Sequence, residues 1–394
     1  MSFQIDQVLE VLKNNNINPP SDPKTLPIPE IGRLDETEEI YPVNLKDIYE
    51  DDDEEVEESP ILGELEHIIT SNDRPKGRIY RPQDRIDHPC AWYQPIHYFG
   101  RNWGIFIRQE CLEHAILDIA TYIDWKVIYP KKISLYQCFK ALRQCAFYEL
   151  YFHEQFHHKV ESFGLRLLVT NGRDTYRNYK SKVYRPTFGT DDCLEEGLAN
   201  AEIFQRINEP RYKARLDANI ISGFKSYLVD SIKGAPAGYR TGINYLSETA
   251  FKIGLGTLQS QMFDASLSPS KVASHWQVAT YMTRSLADIT TNIWVIIPRI
   301  GMPIISSSAI DPRGTISTNK VTSTLTKFYN FSVIQGAGKG SHVKLKDQNG
   351  RTVVLSGNRP ALHPKELKDA IEAVSGKRSL QLLDDFLLGN LFKV

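Results

Sequence analysis

The chain lacks the features that mark secreted, membrane-spanning or disulfide-framed proteins. Among its 394 residues no apolar run approaches the ~20 residues of a membrane-spanning helix, and the N-terminus MSFQIDQVLEVLKNNN lacks a secretory signal's basic and apolar pattern. No C-x-x-C pair occurs among the five cysteines, which are Cys90, Cys111, Cys138, Cys145 and Cys193. We therefore expect a cytoplasmic protein with reduced thiols and no membrane partner, without a disulfide framework or a cysteine zinc knuckle.

The net charge of −1 conceals a strong segregation of charge along the chain. Residues 35–58 carry 13 acidic side chains and one lysine, which leaves 46 basic and 35 acidic residues elsewhere. With the proline-rich stretch before it, this run predicts an extended acidic N-terminal arm over residues 1–60. The arm is either a solvated stretch or a mask that competes with nucleic acid for a basic surface, and both interpretations stay open.

The remaining patterns predict an α+β protein with two further domains. Aromatic and β-branched residues broken by Gly100 and Gly104 predict a small hairpin after residue 91. Apolar residues at three- and four-residue spacing predict helices over residues 110–122, 135–168, 194–207, 212–231 and 268–286. These helices form a mainly helical domain over residues 61–305. Residues 312–394 predict a small domain with the order helix, three strands, helix.

The run HEQFH at residues 153–157 is the most informative motif. On a helix, His153 and His157 lie one turn apart on the same face, where their imidazoles can bind one Zn²⁺. Glu154 can then accept the proton of a water that attacks a carbonyl. The alternative is that these are structural histidines of a helix. We take His158 as a neighbour on the helix surface, and Glu149 and Glu161 either orient a ligand or belong to a solvated face.

A hydrolytic zinc site needs a third protein ligand, and the downstream run EEGLANA at residues 195–201 offers one. Together with the first motif, this run resembles the gluzincin metallopeptidases, in which a helical glutamate followed by a small residue is the third ligand. The resemblance implies Glu196 as that ligand, with Glu195 as the alternative. The small residues Gly197, Ala199 and Ala201 predict a close approach of this helix to the helix of the first motif.

The same resemblance implies a protein or peptide substrate and a side chain that stabilises the transition state. No clear counterpart of the family's substrate-binding strand is visible. The candidates for the stabilising side chain are Tyr176, Tyr179, Tyr184, Arg185 and His275.

Residues 315–376 contain Gly-Ser-His at 340–342, the charged turn DQNG at 347–350 and a helix with Leu367 and Ile371. This pattern resembles the HicA family of small toxins, which are ribonucleases with a double-stranded-RNA-binding-like fold. The resemblance implies contact with RNA and a role for His342 in strand cleavage, since an imidazole can move the proton that attack by a 2′-hydroxyl requires. A module that only binds RNA or a protein is the alternative.

The charge of this region agrees with an RNA ligand. Residues 320–378 contain 11 basic and four acidic side chains, which favours contact with phosphates. The expected backbone contacts are Lys339, Lys344, Lys346, Arg351 and Arg359.

Two functions follow as expectations. The first is a zinc-dependent peptidase or amide hydrolase with an RNA-acting module, in a bacterial toxin–antitoxin or defence context. The second is a HicA-type mRNA interferase toxin, in which the zincin-like domain is a scaffold or regulator. Either context implies an antitoxin-like partner.

Overall fold

The chain folds into two compact units in a computed structural model: residues 1–34 with 54–294, and residues 35–53 with 295–394. The structure describes residues 5–18, 37–43, 45, 48, 61–71, 89–128, 134–213, 216–263, 292–298, 304–305, 310–311, 314–334, 342–357, 362, 364–378, 382–388 and 391. The second unit includes residues 35–53, which lie within the segment expected to form the arm.

The first unit is mainly helical. Its helices are α1 (Ile5–Asn14), α2 (Ile61–Thr70), α3 (Gln109–Thr121), α4 (Leu135–Asn171), α5 (Thr175–Tyr179), α6 (Leu194–Arg206), α7 (Ala218–Lys233) and α8 (Glu248–Phe263). Shorter turns are α-helical at Ile96–Phe99, Trp125–Ile128, Arg185–Thr187 and Pro210–Lys213, 3₁₀ at Gly100–Asn102 and Tyr239–Tyr245, and π-helical at Lys180–Tyr184.

The helices α3, α4 and α6 lie where the apolar spacing predicts them. The helix expected from residue 212 begins instead at Ala218, because Asp217 caps it by accepting a hydrogen bond from the Asn219 amide at 2.8 Å. The helix expected over residues 268–286 lies outside the described residues. Among the helices that the structure describes, none is long and apolar enough to cross a membrane.

The long helix α4 carries the H-E-x-x-H motif. It starts at a capping box, in which the Ser134 hydroxyl accepts from the Gln137 amide and the Gln137 side chain accepts from the Ser134 amide. It ends at Gly172, whose left-handed conformation (φ 64°) suits a residue without a side chain. Buried side chains at helical spacing, among them Phe139 and Leu142, hold the helix in the core and so place the motif there.

A hairpin covers one side of the unit, as expected. The strands β2 (Ala91–Gln94) and β3 (Gly104–Arg108) pair antiparallel. The expectation that all five cysteines are reduced is wrong, because Cys90 and Cys111 form a disulfide. The hairpin brings these cysteines together: the Arg108 amide donates to the Cys90 carbonyl at 2.8 Å, and α3 starts one residue later. The other three cysteines are free and buried.

The second unit contains the helix–three strands–helix order expected of the C-terminal residues. Its elements are β1 (Glu38–Val43), β5 (Ile310–Asp311), β6 (Gly314–Thr315), α9 (Thr318–Tyr329), β7 (Ser332–Val333), β8 (His342–Lys346), β9 (Thr352–Ser356), α10 (Pro364–Ser375) and α11 (Leu383–Leu388). The strand β4 (Ile293–Pro298) has its first two residues in the first unit and the others in the second. The strands β7, β8 and β9 form an antiparallel sheet in that order. Leu345 and Leu355 of this sheet and Leu325 and Ile371 of the helices are buried in one core.

Part of the acidic run is built into this second unit rather than solvated. On β1, Tyr41 is buried and donates a hydrogen bond to Glu39 at 3.0 Å. Lys368 of α10 pairs with the Glu39 carboxylate at 3.0 Å and lies 4.7 Å from the centre of the Tyr41 ring. This buried ion pair ties the strand to α10.

Candidate metal centre

Three side chains converge in the first unit at a point where a metal ion could be held. The ligand atoms of His153, His157 and Glu196 all lie within 4.8 Å of one another. The two Nε2 atoms are 3.3 Å apart, and Glu196 places Oε2 3.1 Å from the first and Oε1 3.6 Å from the second. The four-residue spacing on α4 and the packing of α6 against it bring these atoms together, as the sequence predicts.

Each imidazole is oriented by a partner on its other nitrogen. His153 donates from Nδ1 to the Asn200 side-chain oxygen at 2.8 Å, and the Asn200 amide nitrogen in turn donates to the Tyr239 carbonyl at 3.1 Å. His157 donates from Nδ1 to Glu195 at 2.6 Å. A ring whose Nδ1 carries a donated proton presents Nε2 as the ligand atom, so both rings are arranged for a shared ion.

The structure separates the two adjacent glutamates. Glu196 meets the Nε2 atoms, whereas Glu195 lies against the opposite nitrogen of His157 and accepts a hydrogen bond from Lys180 at 3.1 Å. The alternative of Glu195 as the third ligand therefore does not fit, and this residue belongs to the layer behind the ligands.

The electrostatics of the pocket favour positive charge between the three side chains. Burial by itself lowers the pKa of His157, but the charge of Glu196 and the hydrogen bond to Glu195 raise it to about 9. Burial raises the pKa of Glu196, yet the charge of His157 and the hydrogen bond from His153 outweigh it and lower this pKa to about 2. A field that holds a proton on an imidazole also attracts a cation to the same place.

Glu154 lies near the two histidines, and its carboxylate accepts no hydrogen bond from another described residue. Its side chain is 6% exposed. Burial raises the pKa of Glu154, and the nearby His153 and His157 oppose that shift. A carboxylate with a raised pKa is a better proton acceptor than an exposed one, as a general base requires.

The helix α6 packs against α4 as expected, but Gly197 itself faces a different element. A Cβ atom at this position would lie 2.4 Å from the Thr241 hydroxyl oxygen, so Gly197 faces the 3₁₀ turn Tyr239–Tyr245 rather than α4. The same turn stacks Tyr239 on the His153 ring, with centroids 5.7 Å apart. The His153 side chain is 13% exposed, against 5% for His157, so His153 is the more accessible of the two rings.

The five residues considered for transition-state stabilisation differ in what they contact. Tyr184 donates to Glu196 Oε1 at 2.5 Å, so its hydroxyl holds the third ligand. Tyr179 is buried near Glu195, and Tyr176 packs against His97 with ring centroids 4.6 Å apart. Arg185 is exposed, and His275 lies outside the described residues.

Glu149 and Glu161 neither orient a ligand nor form a solvated face. Glu161 is fully buried and accepts hydrogen bonds from the Ile96 amide at 3.0 Å and from the amide and ring of His97 at 2.8 and 2.6 Å. Glu149 accepts from the Tyr227 hydroxyl of α7 at 3.0 Å. Both glutamates thus bind neighbouring elements to α4. His158 is buried and bonded to the Tyr93 hydroxyl at 2.7 Å, away from the ligand group.

The residues expected to contact RNA are only partly described. His342, Lys344 and Lys346 alternate along β8 with the buried Leu345, which places them on the outer face of the sheet. Arg351 donates from Nε to Asp347 at 3.1 Å, so its guanidinium is already engaged in the β8–β9 turn. Lys339 and Arg359 lie outside the described residues.

Sequence reasoning did not identify Lys180, Asn200 or Tyr239 as part of the centre. Asn200 stands four residues after Glu196 on α6, a spacing that places it on the same helix face and offered a signal. Lys180 and Tyr239 come from other elements, and no local pattern marks them.

The chain was compared with protein-family models, with curated proteins and with solved structures, and none of them matches it.

Proposed function

We propose that the chain is a zinc-dependent peptidase or related amide hydrolase. The observation that carries this proposal is the convergence of two imidazole Nε2 atoms and the Glu196 carboxylate, with Nδ1 of each ring engaged by an oxygen. Two histidines and one glutamate are a ligand set of hydrolytic zinc sites, which keep a further position open. A zinc ion held there would supply Lewis-acid chemistry, lowering the pKa of a water and polarising a carbonyl.

The side chains around that position have distinct roles in this proposal. Glu154, buried and not engaged by another described residue, takes the proton of the attacking water on its carboxylate and returns it to the leaving amine. Tyr184 keeps Glu196 in place, and Asn200 keeps the His153 ring turned so that Nε2 faces the pocket. The substrate enters on the side of His153, the more exposed of the two histidines.

Metal content tests the ligand set. Purified protein incubated with zinc and then desalted should retain about one zinc ion per chain, and His153→Ala and Glu196→Ala should each lose it. The control is His67→Ala, which removes an exposed histidine of α2 and should leave the zinc content unchanged. A wild-type protein that retains no zinc would overturn the proposal.

Glu154→Gln tests the chemistry separately. This variant should keep the metal but lose cleavage of a quenched fluorescent peptide library by a factor of about 10²–10⁴, the usual contribution of a general base. A variant that binds zinc and cleaves as fast as the wild type would show that Glu154 is not the base.

The second unit supports another candidate function, RNA binding or cleavage of the HicA type with the first unit as scaffold or regulator. The supporting observation is the alternation of His342, Lys344 and Lys346 on the outer face of a sheet whose inner face is buried. Lys344→Ala with Lys346→Ala should weaken binding to a labelled RNA and reduce its salt dependence by about one counterion per lysine.

Growth inhibition on overexpression separates the two candidates. A toxin that acts through the second unit should lose toxicity with His342→Ala and keep it with Glu154→Gln. The reverse pattern would favour the hydrolase.

A further inference from the structure

A lysine is buried directly behind the candidate metal centre, where a positive charge is unexpected. The Lys180 side chain is 2% exposed, and its Nζ lies 3.1 Å from Glu195 and 3.4 Å from the centre of the Tyr184 ring. Burying an ammonium costs solvation, and a cation at this place repels a second cation in the pocket. Lys180 therefore needs a role that outweighs both effects.

The hydrogen bond from Lys180 to Glu195 indicates this role. Glu195 Oε1 accepts from Lys180 at 3.1 Å and from His157 Nδ1 at 2.6 Å, so one atom joins the ammonium to the ring. The Glu195 side chain has no exposure to solvent, and without Lys180 its carboxylate would lose the ammonium that compensates its buried charge. The lysine thus keeps a charged acceptor stable at the back of His157.

The turn that carries Lys180 contacts both glutamates. Lys180 is the first residue of the π-helical turn Lys180–Tyr184 and holds Glu195, while Tyr184 is its last residue and donates to Glu196 at 2.5 Å. Short π-helical segments often occur at functional sites, where they place side chains that an α-helix would direct elsewhere.

The charges of the pocket agree with a divalent ion. Glu154, Glu195 and Glu196 carry three negative charges when ionised, and Lys180 compensates one of them. The remaining charge of two matches one divalent cation and leaves no excess in a buried site.

We propose that Lys180 is a positioning residue of the metal centre, which holds Glu195 on Nδ1 of His157 and thereby directs the Nε2 of that ring to the ion. This inference rests on the proposed metal site. It predicts the sign of an effect that electrostatics alone would reverse: loss of a nearby positive charge should strengthen cation binding, whereas loss of a positioning residue should weaken it.

The test is zinc affinity, measured by competition with a chromogenic chelator, together with the absorption spectrum of the cobalt-loaded protein. Lys180→Met should weaken zinc binding by about 10–100-fold, the usual effect of losing a partner behind a ligand, and should alter the cobalt bands. Glu195→Gln should weaken it as well, because it removes the carboxylate that accepts from the buried ammonium of Lys180.

The double variant K180M/E195Q distinguishes positioning from general damage. The side-chain amide oxygen that it introduces at position 195 can still accept from His157 Nδ1, and no buried charge is left unpaired, so zinc affinity should return to within about threefold of the wild type. A double variant as weak as the weaker single variant would overturn the proposal. If Lys180→Met does not fold, the comparison of Glu195→Gln with the double variant gives the same answer.

A matched control comes from another buried ion pair, which joins α4 to α6, the two helices that carry the ligand atoms. Lys159 of α4 pairs with Glu202 of α6, and neither touches the ligand atoms. Lys159→Met should lower thermal stability and leave zinc affinity unchanged. If it weakens zinc binding as much as Lys180→Met, affinity follows fold stability alone and the proposal fails.

The outcomes for the two proposals are distinguishable. A wild-type chain that binds no zinc removes the proposed function. A wild-type chain that binds zinc, with Lys180→Met binding as tightly or more tightly, removes only the positioning role.

Discussion

Gly197→Ala should destabilise the first unit and disturb the metal centre, although glycine-to-alanine changes inside helices usually stabilise. A Cβ atom at residue 197 would lie 2.4 Å from the Thr241 hydroxyl oxygen, 3.3 Å from the Gly242 amide and 3.4 Å from the Thr241 carbonyl carbon. Only the first contact is prohibitive. That hydroxyl is also held in place, because it donates to the Gly238 carbonyl at 2.5 Å.

The magnitude follows from two opposing effects. Alanine favours the helix by about 0.5–1 kcal/mol over glycine, whereas forcing extra volume into a packed contact costs about 1–3 kcal/mol. We expect a net loss of about 1–2 kcal/mol in the free energy of unfolding, or a midpoint lower by roughly 2–8 °C. Zinc affinity should fall as well, because the displaced turn carries Tyr239, whose carbonyl holds the Asn200 side chain.

Thermal unfolding and chelator competition measure these two effects. The matched control is Gly63→Ala in the exposed part of α2, where a Cβ atom would meet nothing within 4 Å. This variant should be more stable than the wild type, because alanine favours the helix over glycine. Adding Thr241→Ala should recover most of the loss, since it removes the clashing oxygen. If Gly197→Ala is as stable as Gly63→Ala, the close contact does not govern the packing of α6.

Two further predictions concern the supports of the hairpin. Glu161→Gln should lower stability at neutral pH by about 1–3 kcal/mol, because it leaves the donors of His97 without a charged acceptor. The hydrogen bonds from His97 outweigh burial and hold the pKa of Glu161 below its usual range. The stabilisation by the Glu161 carboxylate should therefore persist above about pH 4.5 and disappear as the pH falls through the lowered pKa. The stability of Glu161→Gln should lack this pH dependence. Cys90→Ser with Cys111→Ser should cost about 3 kcal/mol for a loop of 21 residues, and detection of five free thiols in the unreduced wild type would contradict the disulfide.

The convergence of His153, His157 and Glu196 could be predicted because the information for it is mostly local. His153 and His157 are four residues apart on a helix with clear caps and apolar spacing, so one segment decides both positions. Glu196 could be proposed because a glutamate followed by a glycine on a second helix resembles a known metal-binding pattern. The helix bounds near residues 109, 135 and 194 were accessible for the same reason, since capping and periodicity act within a few residues.

The supporting layer could not be predicted, because its members are distant in sequence. Lys180 and Tyr239 reach the centre from a π-helical turn and a 3₁₀ turn, and such turns carry no strong sequence signature. The role of Glu161 was missed for a related reason: its partners lie about 65 residues earlier, and two of them are backbone amides, which any residue would offer. The disulfide was missed because an odd count of cysteines does not exclude one pair among them.

The choice between Glu195 and Glu196 shows most clearly where local reasoning ends. Consecutive residues on a helix point about 100° apart, so the rotation of α6 about its own axis decides which carboxylate meets the two Nε2 atoms. Gly197 lies close against the 3₁₀ turn, since a Cβ at Gly242 would lie 2.8 Å from the Gly197 carbonyl. A rotation of α6 that brought Glu195 toward the two Nε2 atoms would move Gly197 away from the 3₁₀ turn. It would also break the hydrogen bonds that Glu195 accepts from His157 and Lys180. The identity of the third ligand thus depends on a backbone contact beyond the metal motif, which explains why two adjacent glutamates of equal chemistry have different positions in the centre.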